Sequence, residues 1–237
     1  MNNNSFVPEE RELRPAEGAM SGVMTGVFLW MFLGLAVSAG AAWLTLNWAP
    51  MMYLVYGTQM GLVALIVVEF VLVIALSAAL HKLSSGAAMG LFFLYAFVNG
   101  MTLSVVFIAY QIGTVLLAFV VAAGMFGFMA GFGALTKSDL SGYKGFLMMG
   151  LVGILIATVV NLFMQNDALD MFLCYAGVFI FVGLTAYDTQ KIKKMLSFGL
   201  DAESEKKVKI HGALMLYLDF INIFLRLLRL FGRRSSK

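Results

Sequence analysis

The chain has 237 residues, of which 61% are hydrophobic and 12% charged, with a formal net charge of +3 and a mean hydropathy of +0.91. Soluble domains carry about twice that charged fraction, so a water-soluble globular fold is excluded and no nucleic-acid partner is expected. The composition fits an all-α membrane protein of about seven spanning helices at roughly 20 residues each.

Residues 18–68 and 83–136 contain no Asp, Glu, Lys or Arg, and each stretch has room for two spanning helices. Backbone groups facing lipid must be satisfied internally, which leaves helices or a closed barrel. The run 62–80 lacks the period-two alternation of a barrel strand, which selects helices. Residues 1–20 form a polar tail with Glu9, Glu10, Glu12 and Glu17 against Arg11 and Arg14, unlike a signal peptide. A spanning unit is expected over 21–231, followed by a basic tail, 232–237.

The first predicted helix covers about 22–46, ended by Asn47 to Pro50, with Trp43 and Trp48 suited to a membrane interface. The second covers about 52–80, the third 87–110, the fourth 114–135 and the fifth 145–164. The sixth starts near Ala168 and continues past Lys191, and the seventh covers about 210–230. The charged segment 191–209 reads as a solvated loop, with attraction to anionic headgroups a lesser reading. Lys and Arg number two in the N-terminal tail and nine in the 2–3, 4–5 and 6–7 connections, with none in the alternate connections. The positive-inside rule then places the N-terminus in the cytoplasm. Arg226, Arg229, Arg233, Arg234 and Lys237 go against a seventh full crossing, so crossing and re-entry of the last helix both stay open. Gly127 and Gly131, and Gly18, Gly22 and Gly26, have the spacing of close helix packing. Cys174 is expected to be a small core residue.

Three acidic residues lie in or against apolar helices: Glu69, Asp188 and Asp219. A mid-bilayer carboxylate costs about 2.5–3.5 kcal/mol, so such groups face the bundle interior and serve a purpose. The sixth and seventh predicted helices lead into one charged segment, which lets Asp188 and Asp219 meet. Two close carboxylates share a proton, and when ionised they offer hard oxygens suited to Ca²⁺. The competing reading satisfies each separately through Tyr187, Asn222 or a lysine. Glu69 is either protonated and structural or lines a polar path. His81 and Lys82 read as solvated turn residues that can also pair with an acid at the cytoplasmic mouth.

The segments Gly183-Leu184-Thr185-Ala186-Tyr187-Asp188-Thr189-Gln190-Lys191-Ile192-Lys193 and Leu216-Tyr217-Leu218-Asp219-Phe220-Ile221-Asn222-Ile223-Phe224 resemble the Bax inhibitor-1 family. The resemblance extends over essentially the whole chain in length and helix count. It implies a seven-helix bundle with a central seventh helix wrapped by three helix hairpins. It implies a pH-sensitive Ca²⁺ leak gated by a proton-sharing dyad at Asp188 and Asp219, with Glu69 matching the family's helix 2 glutamate. The family's latch arginine near the end of helix 2 has no counterpart, since this chain reads Ala79-Leu80-His81-Lys82. Neither His81 nor Lys82 supplies a bidentate fork in its place.

The leading expectation is therefore a non-enzymatic leak in a bacterial inner membrane, without a cofactor and with Ca²⁺ as the transported or bound ion. The alternative is a regulatory membrane protein that binds a membrane-anchored ATP-dependent protease or a cell-death or stress partner without transport. An intramembrane aspartyl protease is disfavoured because Tyr217-Leu218-Asp219 lacks the Gly-x-Gly-Asp pattern. A zinc hydrolase would need several in-membrane histidines, and a retinal protein a late-helix lysine.

Overall fold

The computed structural model describes residues 17–58, 60–79, 82–197 and 200–232. Their regular elements are all helical: α1 (Glu17–Asn47), α2 (Ala49–Tyr56), α3 (Gly61–Ala79), α4 (Ser85–Ala109), α5 (Ile112–Leu135), a 3-10 turn (Leu140–Tyr143), α6 (Lys144–Met164), α7 (Asp167–Leu196) and α8 (Ala202–Gly232). Among the described residues, six helices are long and apolar enough to cross a membrane. The bundle's outer face is apolar as well, with Phe163 and Phe179 85% exposed. The chain is an integral, multi-pass membrane protein.

Two expected boundaries change. The second predicted helix is two helices, α2 and α3, and Pro50 opens α2 instead of only ending α1. Trp48 is extended, and proline sits in the first turn of α2, where its missing N–H leaves no bond unmade. The segment 191–209 is mostly helix: α7 runs to Leu196 and α8 begins at Ala202. Lys193 and Lys194 close α7, while Glu203 and Glu205 open α8. These charges complement the helix dipoles, so what reads as a charged loop is two helix ends.

α8 forms the core. It packs against α7, α1, α5 and α4, and Tyr217, Leu214, Leu216, Ile223 and Leu228 are almost fully enclosed. Among the outer helices, α1 packs chiefly on α4, α5 on α7, α3 on α4 and α6 on α7. Spatial neighbours are thus not simply successive helices. Two glycines permit the closest approaches. A Cβ on Gly100 would overlap the Ser38 backbone of α1, and one on Gly133 would overlap the Ala186 carbonyl of α7. The glycines singled out by spacing do not play this part: a Cβ on Gly22, Gly127 or Gly131 would meet no described atom within 4 Å, and Gly26 faces only the Lys209 side chain. Spacing marks a smooth stripe but not the face on which a neighbour lies.

α8 is unbroken and antiparallel to α7. Arg229, near its end, bonds Asp170 in the first turn of α7 at 2.7 Å. At about 1.5 Å per residue its 31 residues span about 46 Å. The last helix is therefore one continuous rod beside α7, with no break within its described residues.

Candidate functional site

Asp219 lies midway along α8 and is 4% exposed. Its Oδ2 is buried without a hydrogen bond. Gly177 lies against Arg226 and Gly212 against Ile192, which sets the antiparallel register of α7 and α8. That register puts Thr185 level with Asp219, and Asp188 three residues, about 4.5 Å, further along the axis. Asp188 and Asp219 thus lie at neighbouring levels of two adjacent helices. Lys191, one turn beyond, is the cation that Asp188 senses.

The polar neighbours are already engaged elsewhere. Thr185 donates to the Phe181 carbonyl at 2.8 Å and Thr189 to the Thr185 carbonyl at 2.7 Å. Asn222 donates to the Leu218 carbonyl at 2.8 Å, and no group, its amide included, bonds Asp219 Oδ2. Tyr187 lines a cleft with Ser141 and Lys194. Phe220, beside Asp219 in sequence, packs edge-on against Phe119 and Phe126 of α5, which keeps this part of the bundle apolar. Among the described residues, no group of three or more His, Cys, Asp or Glu side chains is placed to hold a metal.

Glu69 ends a separate polar chain. Asn99 donates to its Oε2 at 3.0 Å, and Thr102 lies beside it. The Tyr217 hydroxyl donates to Asn99 Oδ1 at 2.7 Å and meets the Ser38 hydroxyl at 2.7 Å. Ser38 in turn reaches the Ala96 carbonyl at 2.7 Å. This chain ties α1, α3, α4 and α8 together. Ser38 and Asn99 are not signalled by the sequence, because a lone Ser or Asn in an apolar helix has no periodic or motif signature. Tyr217 lies two residues before Asp219 inside the second motif.

The two latch candidates separate. His81 lies outside the described residues. Lys82 is exposed in the α3–α4 connection and, among the described residues, forms no ion pair. That connection is fastened by another group. Glu203, in the first turn of α8, accepts from the Ser85 N–H at 2.6 Å and the Ser85 hydroxyl at 2.8 Å. These bonds hold the Glu203 carboxyl below its ordinary value of 4.5. A depressed carboxylate contributes stability that is present above its unfolded value and is lost as pH falls through its folded value. Wild type is therefore expected to lose thermal stability on acidification below about pH 4.5 more steeply than Glu203→Gln. Coincident stability–pH curves for the two would refute the cap.

Across the bundle, Gln190 pins the α5–α6 connection. It accepts from Leu140 N at 2.9 Å and donates to the Ser138 carbonyl at 2.8 Å. Lys193 donates to the Ala134 carbonyl at 2.7 Å. The same motif that carries Asp188 thus also fixes the neighbouring loop.

A family profile described as "Inhibitor of apoptosis-promoting Bax1" matches residues 20–236. The chain is 45% identical over 231 residues to the inner membrane protein YbhL of Escherichia coli K12, covering 97% of this chain and 98% of that protein. It is 41% identical over 211 residues to an uncharacterized protein of Borreliella burgdorferi, covering 89% and 91%. A Streptococcus pyogenes serotype M3 membrane protein is 37% identical over 186 residues, covering 78% and 76%.

Proposed function

The chain belongs to the Bax inhibitor family, and on that premise we propose that it is a pH-sensitive Ca²⁺ leak whose gate is the Asp188–Asp219 pair. The observation that carries this reading is the buried Asp219 carboxyl, with an unbonded oxygen on the central helix and Asp188 as its electrostatic neighbour. An apolar residue would fill that position without the cost of about 2.5–3.5 kcal/mol that insertion of a mid-membrane aspartate carries. A proton held between the two carboxylates removes that penalty, and its loss leaves two charges that repel or bind a cation. Protons and Ca²⁺ then compete for one place, so pH sets the fraction of open gates.

Two carboxylates offer at most four oxygens, against the six to eight that Ca²⁺ prefers. An ion passing between them keeps part of its water shell, which suits passage better than storage. α8 serves as the seventh span in this reading. The lysine-rich ends of α7 and α8 face the cytoplasm together with the N-terminus. The membrane is the bacterial inner membrane, in keeping with the name of the E. coli relative.

The test is Ca²⁺ flux from proteoliposomes between about pH 6 and 8, the range in which a shared carboxyl proton is exchanged. Wild-type flux is expected to change with pH. Asp188→Asn and Asp219→Asn are each expected to lose that dependence. A folded sample that passes no Ca²⁺ at any pH overturns the leak, and unaltered pH dependence in both variants overturns the dyad as its gate.

A further inference from the structure

We propose that the cleft between α7 and the start of α6 binds a phosphate group, specifically the phosphodiester of an anionic phospholipid headgroup. Tyr187, Lys191 and Lys194 lie on one stripe of α7 at spacings of four and three residues. With Ser141, Gln190 and Met195 they line a cleft. A second cleft adjoins it through Gln190 and Lys194, and Lys137 and Lys193 contribute to its walls. Four lysines therefore line the two adjoining clefts, the Lys193 ammonium being held by the Ala134 carbonyl.

Two carboxylates oppose them. Asp139 bonds Lys194 at 2.5 Å, and Asp188 is the acid that senses Lys191. The positive groups still outnumber the negative. Lys194 also reaches the Ser141 hydroxyl at 3.3 Å, which sets an ammonium and a hydroxyl side by side. The Gln190 bonds to Ser138 and Leu140 hold the loop wall in place, so the cleft is formed before any ligand arrives. A phosphate gains from several nearby ammonium and hydroxyl donors with little reordering of the site.

The location selects the source of the phosphate. The cleft lies where α6 enters its apolar span, with Tyr143 and Phe146 exposed beside it at 61% and 63%. An aromatic and apolar rim next to basic groups matches the headgroup boundary of a bilayer. A free phosphate has use for the lysines but none for this rim.

The test is native mass spectrometry of the full chain released from micelles with phosphatidylglycerol, with phosphatidylcholine of the same acyl chains, or with inorganic phosphate. One phosphatidylglycerol is expected to stay bound, in preference to phosphatidylcholine. Each lysine near an anionic headgroup contributes about fivefold in affinity. Lys191→Gln is therefore expected to weaken retention about fivefold, Lys191→Gln with Lys194→Gln to weaken it further, and Lys191→Arg to preserve it. Displacement of the lipid by inorganic phosphate at equal concentration would support the phosphate site but assign it to the free anion. Equal retention of the two lipids, or equal retention by wild type and the double variant, overturns the proposal. None of these readouts depends on Ca²⁺ flux, so they stand or fall apart from the leak.

Discussion

Gly133→Ala is expected to destabilise the protein by about 2–3 kcal/mol, whereas Gly127→Ala on the same helix is neutral or stabilising by up to about 1 kcal/mol. The two substitutions add the same methyl group to α5. At Gly133 the new Cβ would overlap the Ala186 carbonyl oxygen and lie 2.9 Å from its carbonyl carbon and Cα. Those are backbone atoms of a packed helix, which cannot rotate out of the way, so α5 and α7 must separate. At Gly127 no described atom lies within 4 Å, and alanine simply removes the backbone entropy that glycine carries in a helix. Reversible unfolding in mixed micelles measures both. Equal effects from the two substitutions would refute the close α5–α7 crossing. Ala186 lies two residues before Asp188, so Gly133→Ala should also disturb the proposed gate. A shift of about 1 Å is enough to spoil a positioned pair of polar groups.

Asn99→Leu is expected to cost about 3 kcal/mol, more than Tyr217→Phe at about 1–2 kcal/mol. Tyr217→Phe keeps the ring, which packs edge-on against Phe92 and Tyr95, and gives up only hydroxyl contacts. Hydrogen bonds between membrane helices average about 0.6 kcal/mol and reach about 1.7. Asn99→Leu, by contrast, takes the hydrogen-bond donor from Glu69 and the acceptor from Tyr217 together. Glu69 Oε1 already lacks a hydrogen bond, so the carboxyl then depends on its remaining neighbours. Its cost approaches that of an acidic group in the bilayer interior. A double-mutant cycle with Glu69→Leu separates the contributions. The pair is expected to be less damaging than the sum of its members by at least about 1 kcal/mol, as for residues in one network. Strict additivity would show that Glu69 and Asn99 do not act together.

The sequence by itself determined the membrane class, the helical architecture and the acidic residues that needed a reason. Charge-free stretches as long as 83–136 fit only spanning segments, and helix formation follows because lipid offers the backbone no partner. Some helix ends were legible too, since α5 ends at Leu135 and α6 at Met164, where the apolar runs give way to polar residues. Asp188 and Asp219 stood out because charge in an apolar run is costly wherever the run folds. The break between α2 and α3 was less legible, because apolar residues on both sides hide a bend.

Tertiary structure decided which partners these groups meet. The Glu69–Asn99–Tyr217–Ser38 chain joins four helices, and no local pattern relates residues 38, 69, 99 and 217. Glu203 caps Ser85 from 118 residues away, although its own neighbourhood reads as a solvated charged segment. The glycines show the same division: spacing identified Gly127 and Gly131, but Gly100 and Gly133 are where backbones meet. Local sequence fixes the energy of a residue in a helix and in lipid. Which face of that helix meets another depends on the packing of all the helices at once.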